Sequence, residues 1–521
     1  MKKTMKQHSF ASRLKFLALV FGIALAFASC ANEDIAQNPN GTDNNKDFAI
    51  FSTGDPATRT SMESNGAFYW EAGDKIWVKD DNGTWRQSRN APTEKTATFK
   101  FEVPGSFTKT TTYKVYYPGQ NGNQNQVTIA ANQSQAEPNT TAHFGTSGDC
   151  GMADAAWSNA KNGFAFTLDH KAAYLLFLPR TSNTILHDCY LTKVEVNSDN
   201  DITSTYTLNP TTGTLTGTGS GKQIVVATVG SGTYANGFPL TNNATSAATN
   251  GAYVVIKPGT HILKVRYWVK DIATGTEGTI TKTLSSAIYD QNKYYNITAN
   301  LDVKNYDGDH YYMWDAQEQY WKGYEWTKNL GTGVGQPTLF GQPAGNYAYT
   351  DRDSRYANES YPGYRVSNSA THSSFNNVPN VNEMTWYAAK GDPRGDKDEL
   401  WTTMGHLYKG GMWFKKKVNI SEFNSNTAYD GTDWRTIKEY KSWKASEILL
   451  SAAEAGNYFY LPAMGYYRDG QLYINNINGA YWSSSAQPEY RSQAYMLEFN
   501  IGYVTVGYGS RYLGLRVGAF E

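Results

Sequence analysis

From about residue 48 to residue 303 the chain breaks into short β-prone runs, each closed by a turn cluster, and few folds accommodate that pattern. Ile76-Trp77-Val78 follows the turn Ala72-Gly73-Asp74, and Tyr113 to Tyr117 stops at Pro118. Ala173 to Leu178 is continuously apolar and stops at Pro179. Lys193-Val194-Glu195-Val196 alternates; Ile224 to Val226, Tyr253 to Ile256 and Ile262 to Val269 follow. Tyr295, Ile297, Ala299 and Leu301 keep period two. Helical spacing is nearly absent. Many short strands with Gly, Pro, Asn and Thr turns predict antiparallel sandwiches. The length suits two in tandem, 48–160 and 161–304, with the boundary in the stretch Trp157 to Gly163.

Beyond Asn305 the character changes. Nine of the fourteen tryptophans lie there, and helical signals appear. Asn380 or Asn382 caps a helix through Met384, Tyr387 and Ala388 that stops at Gly391. Lys444 to Ala455 reads as a second helix, with Ile448, Leu449, Ala452 and Ala453 on one side and Gly456 as its stop. Tyr495, Leu497 and Phe499 return to strand alternation, as do Tyr503, Thr505 and Gly507. Residues 305–521 are therefore expected to form an α+β module after a mainly β front half.

The balance of 47 Lys plus Arg against 47 Asp plus Glu gives no electrostatic reason to bind nucleic acid or a membrane surface. Residues 31–47 almost lack large apolar groups and read as a flexible tether. After Cys30 only Cys150 and Cys189 remain; in an oxidising compartment they either form one disulfide or stay as two buried thiols.

The N-terminus carries Lys2, Lys3, Lys6, Arg13 and Lys15, an apolar run from Phe16 to Phe27, then Ala28-Ser29-Cys30. It resembles a bacterial lipoprotein signal, residues 1–29. The resemblance implies lipidation of Cys30 as the mature N-terminus. Ala31-Asn32-Glu33-Asp34 resembles the surface-export signal of Bacteroidetes lipoproteins, implying an outer-membrane, surface-exposed location.

Thr58-Arg59-Thr60-Ser61, Trp70-Glu71-Ala72-Gly73-Asp74-Lys75-Ile76, Leu168-Asp169-His170-Lys171-Ala172-Ala173 and Lys293-Tyr294-Tyr295-Asn296-Ile297 resemble the fimbrillin family of Bacteroidales pilus subunits. That resemblance implies two transthyretin-like β-sandwiches and a first strand removed by cleavage after an arginine. A strand from another subunit then enters the opened groove. Arg59 is the processing candidate; the alternative is a surface arginine in a turn.

Tyr458 to Gly465, Gly479 to Ser485, Ala494 to Phe499 and Arg511 to Val517 resemble the Fibrobacter major paralogous domains, which are similar to C-type-lectin-like folds. Asn380 to Trp386 and Gly391-Asp392-Pro393 look like the first half of that module.

Several chemistries find no support in the sequence. The eight histidines are scattered, with no zinc spacing. Gly217 to Lys222 lacks the first Walker glycine, and Gln223 stands where Ser or Thr is needed. The cysteines of sulfatase-modifying oxidases have no counterpart after residue 189. Gln487-Pro488-Glu489 follows the tryptophan strand instead of preceding it, unlike a calcium lectin. Asp392, Asp396 and Asp398 read as a solvated loop, and Arg394-Gly395-Asp396 as a tripeptide that recurs by chance. Ser483 has no His or acid at nucleophile spacing. No cofactor or metal is expected, and no enzymatic activity.

Aromatic and polar side chains in the C-terminal turns are the remaining candidates, because sugar faces stack on rings while hydroxyls bond to polar tips. They are Tyr466, Tyr467, Arg468, Asp469, Trp482, Tyr490, Arg491, Tyr503, Tyr508, Arg511 and Tyr512, against the alternative that Trp482 and some tyrosines are simply core. The expected role is a minor pilus subunit, at the fibre tip, partnering other subunits by strand exchange and binding a surface glycan or protein. The alternatives are a pilus anchor or non-polymerising glycan-binding lipoprotein, and less favoured, a glycan-active enzyme.

Overall fold

The computed structural model describes residues 47–53, 61–62, 68–306, 310–322, 369–403, 406–468, 471–475, 477–490 and 492–521. Cys30, Arg59, Asp469 and Arg491 lie outside the described residues, with the signal and most of the tether. Phe48–Glu521 form one unit, and it is mainly β.

The front half uses β1 (Phe48–Thr53), β2 (Trp77–Lys79), β3 (Lys100–Pro104), β4 (Tyr113–Tyr117), β5 (Gln126–Ile129), β6 (Asn132–Ser134), β7 (Gly151–Ser158) and β8 (Gly163–Phe166). The first sheet runs β2-β4-β7-β8-β1-β3. β1 lies inside it, antiparallel to β3 with Phe51 opposite Phe101 and parallel to β8 with Phe51 beside Phe164. Phe51 is fully buried; its ring stacks on Phe164 at 4.9 Å and meets Phe107 edge-on at 5.1 Å. Trp70, Ile76, Val78, Val103 and Val115 complete this core.

The sheet runs past the boundary expected near 160. Asn159–Asn162 is a hairpin turn within it, with Trp157 opposite Phe164 and Asn162 at φ 46°. The same Asn-rich composition serves a hairpin or a linker, so sequence alone did not separate them. In the other direction, β5 and β6 leave the first core and pair with strands of the second. At the changeover, the buried Asp149 carboxylate lies 2.9 Å from His170 Nδ1 and accepts the Tyr174 hydroxyl, tying the two cores together.

The second core is built by β9 (Ala173–Arg180), β10 (Cys189–Ser198), β11 (Ser204–Leu208), β12 (Gln223–Ala227), β13 (Ala252–Ile256), β14 (Gly259–Asp271), β15 (Glu277–Tyr289) and β16 (Tyr294–Asn300). β9 lies between β13, antiparallel, and β16, parallel, repeating the placement of β1 between β3 and β8. Buried on both sides, it needs a continuous apolar run rather than alternation. Across the sandwich, Phe177 meets Tyr267 of β14 edge-on at 6.0 Å. Cys150 and Cys189 are free and buried, so the disulfide alternative is corrected. Cys189 donates to the Ile185 carbonyl at 3.4 Å. Burial pushes its thiol up to about 12 and that of Cys150 well above its ordinary value. Neither forms the thiolate that disulfide exchange requires.

The C-terminal part contains α1 (Val381–Lys390), β17 (Arg394–Thr403), β18 (His406–Lys415), β19 (Lys441–Lys444), β20 (Tyr458–Pro462), β21 (Tyr466–Arg468), β22 (Gln471–Tyr473), β23 (Gly479–Ala486), β24 (Gln493–Asn500), β25 (Tyr503–Ser510) and β26 (Leu515–Arg516). α1 forms as expected. Asn380 accepts from Glu383 N while the Glu383 carboxylate accepts from Asn380 N, a reciprocal cap. Its Val381, Met384 and Tyr387 pack with Phe414, Phe459, Leu497 and Val506. The helix expected over 444–455 does not form. Lys441–Lys444 pair with β25, Ser446 N bonds the Pro393 carbonyl, and only Ala455–Asn457 make a 3₁₀ turn. Of the expected apolar face, Ile448 stays 73% exposed and Ala453 is exposed too, while Ala452 alone is buried. Tertiary backbone pairing has overridden local propensity.

β17 continues the second core's sheet, giving the order β20-β18-β17-β15-β14-β10-β12-β6. The join is one parallel pairing, Thr279 with Glu399. Around it, Arg266 Nη2 donates to Asp396 Oδ1 at 3.0 Å and to Thr279 Oγ1 at 2.9 Å. Glu399 accepts from Thr281 N at 2.9 Å and from the hydroxyls of Thr281 and Thr279 at 2.6 and 3.1 Å. Asp396, read from sequence as part of a solvated loop, is thus a buried strand residue. Arg394 pairs with Asp392 at 2.9 Å and Asp396 is buried, so the tripeptide Arg394-Gly395-Asp396 is not presented to solvent as a motif.

Asp396→Ala leaves a buried guanidinium without its carboxylate and is expected to cost about 3–5 kcal/mol in urea unfolding. Arg266→Met combined with Asp396→Leu should recover most of that loss. Burial, and then the Asp396 charge, hold the Glu399 carboxyl above its ordinary value. Its contribution to stability is therefore present below the ordinary carboxylate range and lost as pH rises through the elevated pKa. Glu399→Gln should flatten this part of the stability–pH curve, read as unfolding midpoints between pH 4 and 8.

Candidate functional site

A groove of about 400 Å³ opens on the C-terminal sheet. Strand alternation creates it. Tyr495, Leu497 and Phe499 of β24 pack into the core that holds α1, so Met496, Glu498 and Asn500 point to the opposite face. β25 places Thr505 beside Glu498 and Tyr503 beside Asn500, while β23 places Ala480 beside Glu498 on the other side. One wall is the β21–β22 hairpin, where Tyr466 stacks on Tyr473 at 5.6 Å. Gly465, at φ +62°, launches that hairpin; a Cβ there would stand 1.8 Å from the Tyr473 carbonyl oxygen. The other wall is Ser510, Tyr512, Leu513 and Leu515, and Arg468 and Asn478 also line the groove.

Glu498 is the chemically distinctive group. Burial alone holds its carboxyl above the ordinary value. Among the described residues no hydrogen bond or ion pair reaches it. Asn500, by contrast, is occupied in shaping the β24–β25 turn, accepting from Gly502 N and Tyr503 N at 3.0 Å.

Of the residues expected from sequence, Tyr466, Arg468, Tyr503 and Tyr512 meet in this groove. Three others are corrected to structural positions. Trp482 is fully buried, its Nε1 donating to the Tyr312 carbonyl at 2.8 Å. Tyr467 is buried against Tyr311 and Tyr320, each with its ring centre 5.0 Å away. Arg511, 1% exposed, lies 4.0 Å over the Trp314 ring and donates Nε to the Gln493 carbonyl at 2.9 Å. Tyr490 and Tyr508 stand elsewhere, flanking Lys438 at 4.7 and 5.7 Å. Sequence reasoning missed Glu498, Asn478 and Thr505. The signal for Glu498 was present: it interrupts an apolar strand at a position whose neighbours both face the core. Ser483 is buried and donates to the Pro379 carbonyl, which removes it as a nucleophile. Gln487 Oε1 accepts from Glu489 N, closing a local turn.

The seat of β1 is a second feature with functional bearing. Both of its edges are hydrogen-bonded. A Cβ on Gly163 would stand 2.7 Å from the Ile50 carbonyl oxygen, so the close approach of β8 depends on that glycine. Arg89 covers the Phe48 ring at 3.7 Å, and Lys161 Nζ donates to the Thr53 carbonyl at 2.7 Å.

Among the described residues no group of three or more His, Cys, Asp or Glu side chains could hold a metal, and no helix is long and apolar enough to cross a membrane.

Glu498 carries a testable linkage. Its folded-state pKa is raised, so its contribution to stability falls as pH rises. Glu498→Gln is expected to raise the melting temperature at pH 8 and leave it nearly unchanged at pH 4, by scanning calorimetry.

No protein-family model and no curated protein matches the chain. Solved structures similar to it include a candidate cell-adhesion protein of Bacteroides ovatus, 16% identical, covering 49% of this chain and 94% of its own, with TM-score 0.31. The fimbrial anchor protein Mfa2 of Porphyromonas gingivalis is 10% identical, covers 48% of this chain and 90% of its own, and has TM-score 0.22. A fimbrial protein of Bacteroides ovatus is 11% identical, covers 91% of this chain and 100% of its own, and has TM-score 0.24.

Proposed function

We propose that this chain is a fimbrillin-type surface lipoprotein: a minor, adhesive pilus subunit with two transthyretin-like sandwiches and a C-type-lectin-like C-terminal module (305–521). The observation that carries the reading is the seat of β1. This strand precedes Arg59 and fills a slot between β3 and β8, lined by Phe101 and Phe164. Cleavage after Arg59 would release it and leave two unpaired main-chain edges flanking an aromatic groove. Such a groove suits strand addition from another subunit, with backbone bonds supplying affinity and alternate side chains filling pockets.

A tip position suits the second sandwich. Its last strand, β16, is paired along β9 from Tyr174 to Arg180, and the chain runs on to the bridge between Asn305 and Thr402. A strand so committed is poorly placed to be donated to a neighbour, whereas an acceptor groove is all a terminal subunit needs. Lipidation at Cys30 would tether the precursor to the outer membrane, and the C-terminal groove would contact a surface glycan or protein. An anchor or non-polymerising lipoprotein is the second reading, favoured if β1 stays in place. A glycosidase is disfavoured, because Glu498 is the one acid among the groove's described lining residues and such enzymes use two.

Mass spectrometry of the mature N-terminus from isolated surface fibres tests this. Fibre-borne protein is expected to begin at Thr60, with Arg59→Ala holding the chain as a Cys30-lipidated precursor outside fibres. Mature protein in fibres that retains residues 31–59 and its lipid would overturn strand exchange at β1 and leave the anchor reading.

A further inference from the structure

We infer that the groove beside Glu498 takes a neutral sugar residue, whose vicinal hydroxyl pair donates to the two carboxylate oxygens while its ring faces lie against tyrosine. The inference rests on the adhesive reading and narrows its ligand.

Three observations carry it. The first is the floor. An ionised carboxylate is an acceptor only, with room for several donors. Here it is half-buried in the groove, and among the described residues no hydrogen bond or ion pair reaches it. A half-buried acceptor with no protein partner relies on water for its hydrogen bonds, so a ligand that brings donors replaces that water in less polar surroundings, where each bond is stronger. Two hydroxyls on adjacent ring carbons form a donor pair that spans the two oxygens of one carboxylate.

The second is the walls. Tyr466, Tyr503 and Tyr512 offer flat faces with polar tips, and Met496, Leu513 and Leu515 add apolar surface between them. A pyranose ring has the matching character, with C–H groups on its faces and hydroxyls at its edge. About 400 Å³ lies in the ordinary range for small-ligand sites.

The third is the sign and spread of the polar lining. Asn478, Thr505 and Ser510 are neutral donor–acceptors distributed around the groove. A lone ammonium would satisfy Glu498 and leave these unmatched; a polyhydroxylated ring uses both. An acidic sugar would bring a second negative charge to a carboxylate that has no counter-charge among the described residues, and like charges in a desolvated site repel strongly. Arg468 also lines the groove, so the acidic partners in the test measure whether its charge offsets that repulsion.

The test uses the full purified chain on an array of oligosaccharides ending in glucose, galactose, mannose or fucose. Partners that differ only by a terminal uronic or sialic acid, and an amine-terminated set, are printed alongside. Neutral termini are expected to bind, with acidic partners at least about tenfold weaker. Glu498→Ala should lose about tenfold or more, the scale of a charged hydrogen-bond pair. Glu498→Gln should lose less and narrow the neutral–acidic gap. Wild-type binding should weaken on acidification while Glu498→Gln stays flat, a pH signature that simple misfolding does not produce. Tyr503→Ala, at an exposed position, should weaken binding with an unchanged melting temperature.

Equal or tighter binding of acidic or amine termini, unchanged binding by Glu498→Ala, or no neutral binding at all would each overturn the inference. If glycans bind but Glu498→Ala is silent, the groove assignment falls and the adhesive reading stands. If the chain never enters fibres, the pilus reading falls whatever the array reports.

Discussion

The C-terminal half joins the sheet of the second sandwich where β17 lies along β15, and Leu400 and Leu407 enter the second core there. A single backbone pairing would not fix its register. The buried side chains do: Arg266 reaches across to Asp396, and Glu399 collects a backbone amide and two threonine hydroxyls from β15. Desolvated ions add little net stability, but any one-residue slip would strand them, so they specify one alignment. From that alignment the rest follows in order. β18 pairs with β17, β20 pairs with β18, and β20 leads through Gly465 into the hairpin that walls the groove. The groove's tyrosines are thereby positioned by charges buried in another part of the sheet.

The two sandwiches repeat one arrangement: each opens with a strand held between an antiparallel and a parallel neighbour. The consequence differs with sequence. β9 is apolar from Ala173 to Pro179 and joined to folded chain on both sides. β1 is shorter, and Ser52 and Thr53 make its end polar. The same topology therefore holds two strands of different length and composition in equivalent seats.

The sequence made legible whatever depends on local periodicity. The apolar run at 173–178, the alternation at 295–301 and the cap at Asn380 each carry their structural reason within a few residues. What failed depended on distant partners. The helix expected over 444–455 lost to backbone pairing with β25 and Pro393. Asp396 looked solvated because Arg266 is far away in sequence. Trp482, Tyr467 and Arg511 share composition with the groove residues, and only their packing separates them. Tyr466, Arg468, Tyr503 and Tyr512 are legible as a class of residue, and Glu498 is legible as the one acid interrupting an apolar strand, but only the sheet shows that they share a groove.

The way β1 is held has a mechanical corollary. A strand at a sheet's rim, or one in a hairpin pulled from its open end, peels away one hydrogen bond after another under small force. β1 is gripped along both flanks, and tension along its own axis loads every bond in those two ladders at once. A strand held in that slot would resist axial tension as a sheared joint, yielding all together or not at all.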